Sequence, residues 1–327
     1  MRTVDDTTPA ATSRGRAARA GVPTIPLPRE SAQATARTAA VSRAASAVPA
    51  SASTGVAELL RGPVRPARVL ASMPAAVYLQ VSTDRGTDVV GVLTSDAARL
   101  PLACVLFRPS NGRPLVALPA GAPAEVGGGR VVVGDLAVSA AAWWDPRPKL
   151  PSPRPALLPE GVRQLRTALY GDEPHSAFNL PGLPGGPGGP LAALRGAVRR
   201  ADLDAALRTA TRLIGLGPGL TPAGDDVMAG TMAGLVLLGH PAADRFAAGV
   251  HALAAGRTTE LSRALLRHAA AGRVSGEYAA VLQGLVGERP LGPAIAGLMA
   301  TGSTSGRAMA LGLSTAIDLV DRTTRPR

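Results

Sequence analysis

Residues 215–239 read GLGPGLTPAGDDVMAGTMAGLVLLG, a glycine- and proline-rich run set directly against an apolar one. Gly215, Gly217 and Gly219 are positions where φ can be positive and a ligand can approach the main chain. Thr221 is placed to cap a helix, with Pro222 at the first helical position, where proline is favoured. Asp225 and Asp226 then fall in the first turn, where carboxylates complement the helix dipole. From Val227 to Gly239 the chain is almost wholly apolar, so this helix is expected to be buried. Ala229, Gly230, Ala233 and Gly234 lie three and four apart, which lets a neighbouring helix come close. The stretch predicts a loop that enters the central helix of a helical domain.

Working outward, helical periodicity continues on both sides. LPEGVRQLRTALYG places Val162, Leu165 and Leu169 on one face. LAALRGAVRRADLDAALRTATRLIG precedes the quoted loop. DRFAAGVHALAAG, TTELSRALLRHAAAG, EYAAVLQGLVG, PAIAGLMATG and SGRAMALGLSTAIDLV follow it. Residues 151–327 are therefore expected to form an α-helical domain of roughly eight helices joined by short loops. It is interrupted at LPGLPGGPGGP (180–190), where neither helix nor strand is expected.

Residues 63–150 have a different rhythm. VYLQVST, TDVVGVLT, ACVLF, PLVAL, RVVVGD and LAVSAAAWW read as short strands separated by TDRG, SNGRP and GGG. Such runs suggest a small antiparallel sheet or barrel. PRPKLPSPRP (146–155) reads as a stiff linker. Residues 1–62 show no period of either kind and read as a disordered Arg/Ala/Ser/Pro-rich tail. The expected fold class is α+β: a small N-terminal antiparallel β domain, then a larger α-helical domain carrying the Gly-rich loop.

Composition limits what such a chain can do. Apolar residues make up 46% of 327, enough for a folded body, yet aromatics are 2%, so the core must be Ala, Leu and Val. The formal charge of +12 comes almost entirely from arginine, Lys149 being the only lysine. Ten arginines against four acids lie in residues 1–68, and no basic run interleaved with aromatics occurs elsewhere, so no nucleic-acid partner is expected. Cys104 stands alone in LACVLF, which excludes a disulfide framework and makes it a small buried hydrophobe. The longest apolar stretch, Val227 to Gly239, is 13 residues, short of the ~20 that span a bilayer. No secretory signal is recognisable at the N-terminus, and a cytoplasmic location is expected.

The candidate site follows from the same loop. The main-chain amides of Gly217, Gly219 and Leu220, with the Thr221 hydroxyl, suit a small anion. Asp225 and Asp226 admit two readings. As structure they are capping charges. As function they orient a substrate, through Mg²⁺ or through an amide NH₂. There is no GK[ST], so the loop is not a Walker A motif. A second polar island, GSTSGR (302–307), offers Ser303, Thr304, Ser305 and Arg307, the last able to fork a carboxylate or phosphate. It too can be a plain capping loop. In RTTELSRALL (257–266), Thr258 or Thr259 begins a helix, and Ser262 and Arg263 read as surface residues. The four histidines show no metal-ligand spacing.

GLGPGLTPAGDD, with LTSDAARLPLACVLF before it and TTELSRALLRHAAAG and GSTSGRAMALGL after it, resembles the AllH-like subunit family of oxamate carbamoyltransferase over about residues 70–320. The family usually has serine where this chain has Ala223. It also tends to show His-Ser-Ser-Gly and an acidic residue where Ser303-Thr304-Ser305-Gly306 leads here to Arg307. The resemblance implies a cytoplasmic subunit in allantoin and purine catabolism, interconverting oxalurate plus phosphate with oxamate plus carbamoyl phosphate. It also implies partner subunits related to acyl-CoA synthetases. On that reading Asp225 and Asp226 are catalytic, with Mg²⁺ held by the same pair as an option, and Gly217, Gly219, Leu220, Thr221, Ser303, Thr304, Ser305 and Arg307 bind substrate. The alternative is a non-catalytic scaffold or small-anion-sensing subunit, which the missing histidine and acid favour.

Overall fold

Strands β1 (Val48–Ser53), β2 (Arg65–Met73), β3 (Ala76–Thr83), β4 (Gly86–Leu93), β5 (Ala103–Leu106), β6 (Pro123–Gly127), β7 (Arg130–Val133) and β8 (Leu136–Trp144) form a closed barrel in the order β1-β5-β4-β3-β2-β6-β7-β8. In this computed structural model the described residues are 47–84, 86–151, 156–171, 180, 182, 183, 186 and 188–324. Most of the expected tail, residues 1–46, lies outside them.

The barrel corrects the expected fold class. It is neither an open sheet nor purely antiparallel: β8 pairs with β1 in parallel, from Val48 opposite Val138 to Ser53 opposite Trp144, and β4 pairs with β5 in parallel. Closure removes the sheet edges that an isolated small sheet would expose. The segment read as tail reaches into it, because β1 and the short helix α1 (Ala57–Arg61) fall before residue 63. PLVAL, read as a strand, is a loop instead. Leu115 N–H bonds to Met73 O at 2.9 Å and the Ser72 hydroxyl to Val116 O at 2.5 Å, so the run is laid over the barrel wall.

The remaining helices are α2 (Pro159–Tyr170), α3 (Pro190–Arg199), α4 (Leu203–Leu213), α5 (Ala223–Leu237), α6 (Ala243–Ala254), α7 (Glu260–Ala270), α8 (Gly276–Leu285), α9 (Leu291–Met299) and α10 (Ser305–Thr324). The run 191–215 is two helices. Ala201 takes φ +53° and the Asp202 carboxylate caps α4 by accepting from Ala205 N–H at 2.8 Å. α5 is buried on nearly every face. Its partner α10 lies backbone against backbone with it: a Cβ on Gly312 would stand 2.3 Å from Val227 O, so only glycine fits.

Helix α7 joins the two halves. Its Leu266 and Ala269 belong to the helical core, whereas Leu261 and Ala264 belong to the barrel core. Where the helical layer covers the wall, the period-2 burial of a half-exposed strand disappears, and β4 buries Val89 through Leu93 without a break. Among the described residues no helix is long and apolar enough to cross a membrane.

Candidate functional site

The loop between α4 and α5 turns on three glycines with positive φ: Gly215 (+78°), Gly217 (+119°) and Gly219 (+93°). At Gly215 a Cβ would lie 2.2 Å from Arg257 O, so the loop is pressed onto the segment that starts α7. The amides of Gly217, Gly219 and Leu220 have no protein acceptor among the described residues.

Thr221 does not cap α5. Pro222 occupies the cap position with extended φ/ψ and no side-chain cap, and Ala223 is the first helical residue. The Thr221 hydroxyl instead meets the Ser305 hydroxyl, 3.0 Å away at the start of α10. Behind it, the Thr259 hydroxyl donates to Leu220 O at 2.5 Å while capping α7 through Ser262 N–H at 3.1 Å. The N-termini of α5, α7 and α10 therefore converge on one spot, bringing three positive dipole ends together.

Two carboxylates sit at that spot, Asp225 at 2% exposure and Asp226 at 5%. Asp225 is well held. Its Oδ1 accepts from Gly215 N–H at 2.8 Å, and its Oδ2 accepts from the Thr258 hydroxyl. Burial still raises its pKa above the usual carboxylate range, against the lowering effect of Thr258, Gly215 and the nearby Ser262 hydroxyl. Asp226 is poorly held. Its Oδ2 is buried without a partner. Desolvation pushes its pKa up to about 7, the Asp225 charge adds to this, and the Ser305 hydroxyl works against it. An acid poised near neutrality with an open oxygen can both give and take a proton.

Of the second island, Ser305 alone reaches the loop. Ser303 and Arg307 are exposed and Thr304 is half-buried, none of them bonded to residues 215–226. Thr258 and Ser262, read as a helix start and a surface residue, lie at the centre instead. Ser262 is 2% exposed, and its Oγ has no hydrogen-bond partner. Its position was legible in principle: Thr259 as cap places Ser262 in the first turn, on the side facing the loop that Gly215 presses against Arg257. Among the described residues no group of three acids, histidines or cysteines comes together. Both Asp225 oxygens are committed to protein donors, leaving the Asp226 carboxylate as the open group of the pair. That donor set suits a hydrogen-bonded substrate better than a resident Mg²⁺, which prefers near-ideal octahedral oxygen coordination.

Fold and site together define a closed β-barrel joined to tightly packed Ala/Gly helices, with a buried aspartate pair where three helix N-termini meet. A family model described as oxamate carbamoyltransferase subunit AllH matches residues 213–317, from the last residue of α4 through most of α10. Over that span, which holds the whole site, the chain is AllH-like. Comparison with curated proteins and with solved structures returns no significant match.

Proposed function

We propose that this chain is a subunit of an oxamate carbamoyltransferase assembly and that the aspartate pair binds its small anionic substrate. The observation that carries the reading is Asp226: a buried, unpartnered carboxylate oxygen beside a like charge, under free loop amides. Such an arrangement costs folding stability and is characteristic of groups kept for chemistry. In the transfer from oxalurate to phosphate, a phosphate oxygen attacks the carbamoyl carbon and the C–N bond to the oxamate nitrogen breaks. The phosphate proton must reach that nitrogen. Asp226, balanced near neutral pH, relays it, while Asp225 stays fixed by Gly215 and Thr258 and biases its neighbour toward the protonated form. The amides of Gly217, Gly219 and Leu220 hold the anion, and the Thr221–Ser305 contact parts to admit it. Partner subunits related to acyl-CoA synthetases complete the assembly.

A binding-only role, as a scaffold or anion-sensing subunit, is the second reading, favoured by the exposure of Arg307 and by the lack, among the described residues, of a cation bonded to the pair. Thermal shift against oxamate, oxalurate, carbamoyl phosphate and phosphate, each with and without Mg²⁺, tests binding. A ligand at a hundred times its Kd adds ~2.7 kcal/mol to stability. Asp226→Asn should abolish the response. A double variant, Asp225→Asn with Asp226→Asn, that keeps the full shift would sink the site. Turnover with the partner subunits added separates catalysis from sensing.

A further inference from the structure

A cleft of about 410 Å³ opens between the end of β8, the strap of residues 145–149 and helix α8. Its size falls in the ~300–1,000 Å³ range of small-molecule sites. It shares no residue with the loop 215–226 or with 302–307.

Four cationic side chains line it, Arg99, Arg147, Lys149 and Arg289, against one acid, Asp145. Asp145 turns its Oδ1 onto Arg147 N–H at 2.9 Å, closing a turn in the strap. Among the described residues none of the four cations forms an ion pair. Two are fixed by neutral groups. The Arg99 guanidinium stacks 4.3 Å over the Trp144 ring and donates to Ser51 Oγ at 3.3 Å, and Arg147 donates to Ala271 O at 2.7 Å. Their orientation is set while their charge remains uncompensated, which is how an anion site is preorganised. The indole N–H of Trp144, sealed from solvent, has no acceptor. Glu277 stands beside the cleft, with Oε1 accepting from Arg99 N–H at 3.2 Å and a buried, unpartnered Oε2. It leaves the surplus positive. Val274, Ala279 and Pro146 supply an apolar wall.

We propose that this cleft binds an organic phosphate bearing two or more negative charges. Arginine forks match phosphate oxygens, Lys149 and Arg289 close over them from the exposed rim, and the apolar wall takes the organic portion. This site stands apart from the aspartate pair and does not rest on it.

The test is titration of the full chain with ADP at low ionic strength, followed by calorimetry and by the fluorescence of its two tryptophans. ADP should bind with Kd below ~1 mM and weaken as salt is added. Adenosine should not bind, and inorganic pyrophosphate should bind more weakly than ADP. The double variant Lys149→Ala, Arg289→Ala removes two exposed side chains, so its melting temperature should hold while ADP affinity falls about tenfold or more. Asp226→Asn should leave ADP affinity unchanged. No binding of ADP, equal binding of adenosine, unchanged affinity in the double variant, or loss of binding in Asp226→Asn would each overturn the assignment. Pyrophosphate binding as tightly as ADP would remove the role given to the apolar wall.

Discussion

Helix α7 touches two polar regions that look alike in composition and differ in balance. Along its barrel-facing side, Arg263 pairs with Glu260 at 2.5 Å and donates to the Thr87 hydroxyl at 2.7 Å, which donates in turn to Glu260 at 2.7 Å. One turn on, Arg267 pairs with Asp88 at 2.6 Å. Each acid there has a base, and the side chains remain a quarter to a third exposed. At its N-terminal end, two adjacent acids are buried with hydroxyls and amides around them and, among the described residues, no bonded cation. The first region is a joint: its charges cancel and hold barrel to helices. The second is unbalanced, and folding alone gives no reason to retain it.

The largest expected effect tests that imbalance. The pKa of Asp226 rises from 3.8 in the unfolded chain to about 7 in the fold. Its contribution is fully present below pH 4 and is lost as pH climbs through 7, where a buried charge must form. The linked change is about 4 kcal/mol, roughly three units at ~1.4 each. Asp226→Asn should therefore remove this loss and raise the melting temperature at pH 8 relative to the parent. A variant less stable than the parent at pH 8 would place Asp226 with the balanced charges.

His268 gives the opposite slope from the joint side. Burial lowers its pKa from 6.5 to about 4, with Arg273 and Arg267 assisting and Asp88 opposing, and its Nδ1 has no partner. A base whose folded pKa is depressed loses stability as pH falls from 6.5 toward 4, here on the order of 3 kcal/mol. The two slopes offset each other in the parent between pH 4 and 6.5. In Asp226→Asn the acid-side loss from His268 should stand alone, and adding His268→Gln should remove it. Denaturant melts across pH 4–8 on the three proteins read both. An acid limb that survives His268→Gln would move its origin elsewhere.

Much of this was legible in the chain, and the failures have physical causes. The helical half announces itself by 3.6-residue periodicity, and Asp225 and Asp226 fall in the first turn as their position after Pro222 requires. β1 was missed because VPASAS carries one β-branched residue and is a strand only by pairing with β5 and β8, far along the chain. β6 was missed because it opens on a proline, which the first position of a strand tolerates. PLVAL misled for the converse reason: apolar residues bury equally well in a loop draped on the barrel. Thr221 misled through a correct rule, since a hydroxyl before a helix is a cap unless a partner from elsewhere takes it, and Ser305 does. Local pattern finds elements and misses the long-range partners that assign side chains.

A smaller effect sharpens the site itself. Thr258→Val removes the hydroxyl that donates to Asp225 Oδ2. Hydrogen bonds to charged groups contribute about 1.5–3 kcal/mol, so a loss near 2 kcal/mol is expected at neutral pH. The Asp225 pKa should rise further, making the loss shrink as pH falls and Asp225 protonates. A loss independent of pH would mean that Thr258 packs against Asp225 without serving its charge.

The smallest effect belongs to the joint. Arg267 and Asp88 are about one-third exposed, so solvent screens them. A double-mutant cycle with Arg267→Ala and Asp88→Ala should give a coupling of about 0.5–1 kcal/mol, falling further in added salt. The cycle is best run at pH 8, where His268 is neutral and the loss of Asp88 does not shift its protonation. Breaking a truly buried pair costs about 3–5 kcal/mol, because the survivor is left as an unpaired charge out of water. A coupling of that size would show that the joint, too, holds its charges against desolvation. Unbalanced burial would then cease to set the aspartate pair apart, and its assignment would rest on ligand response alone.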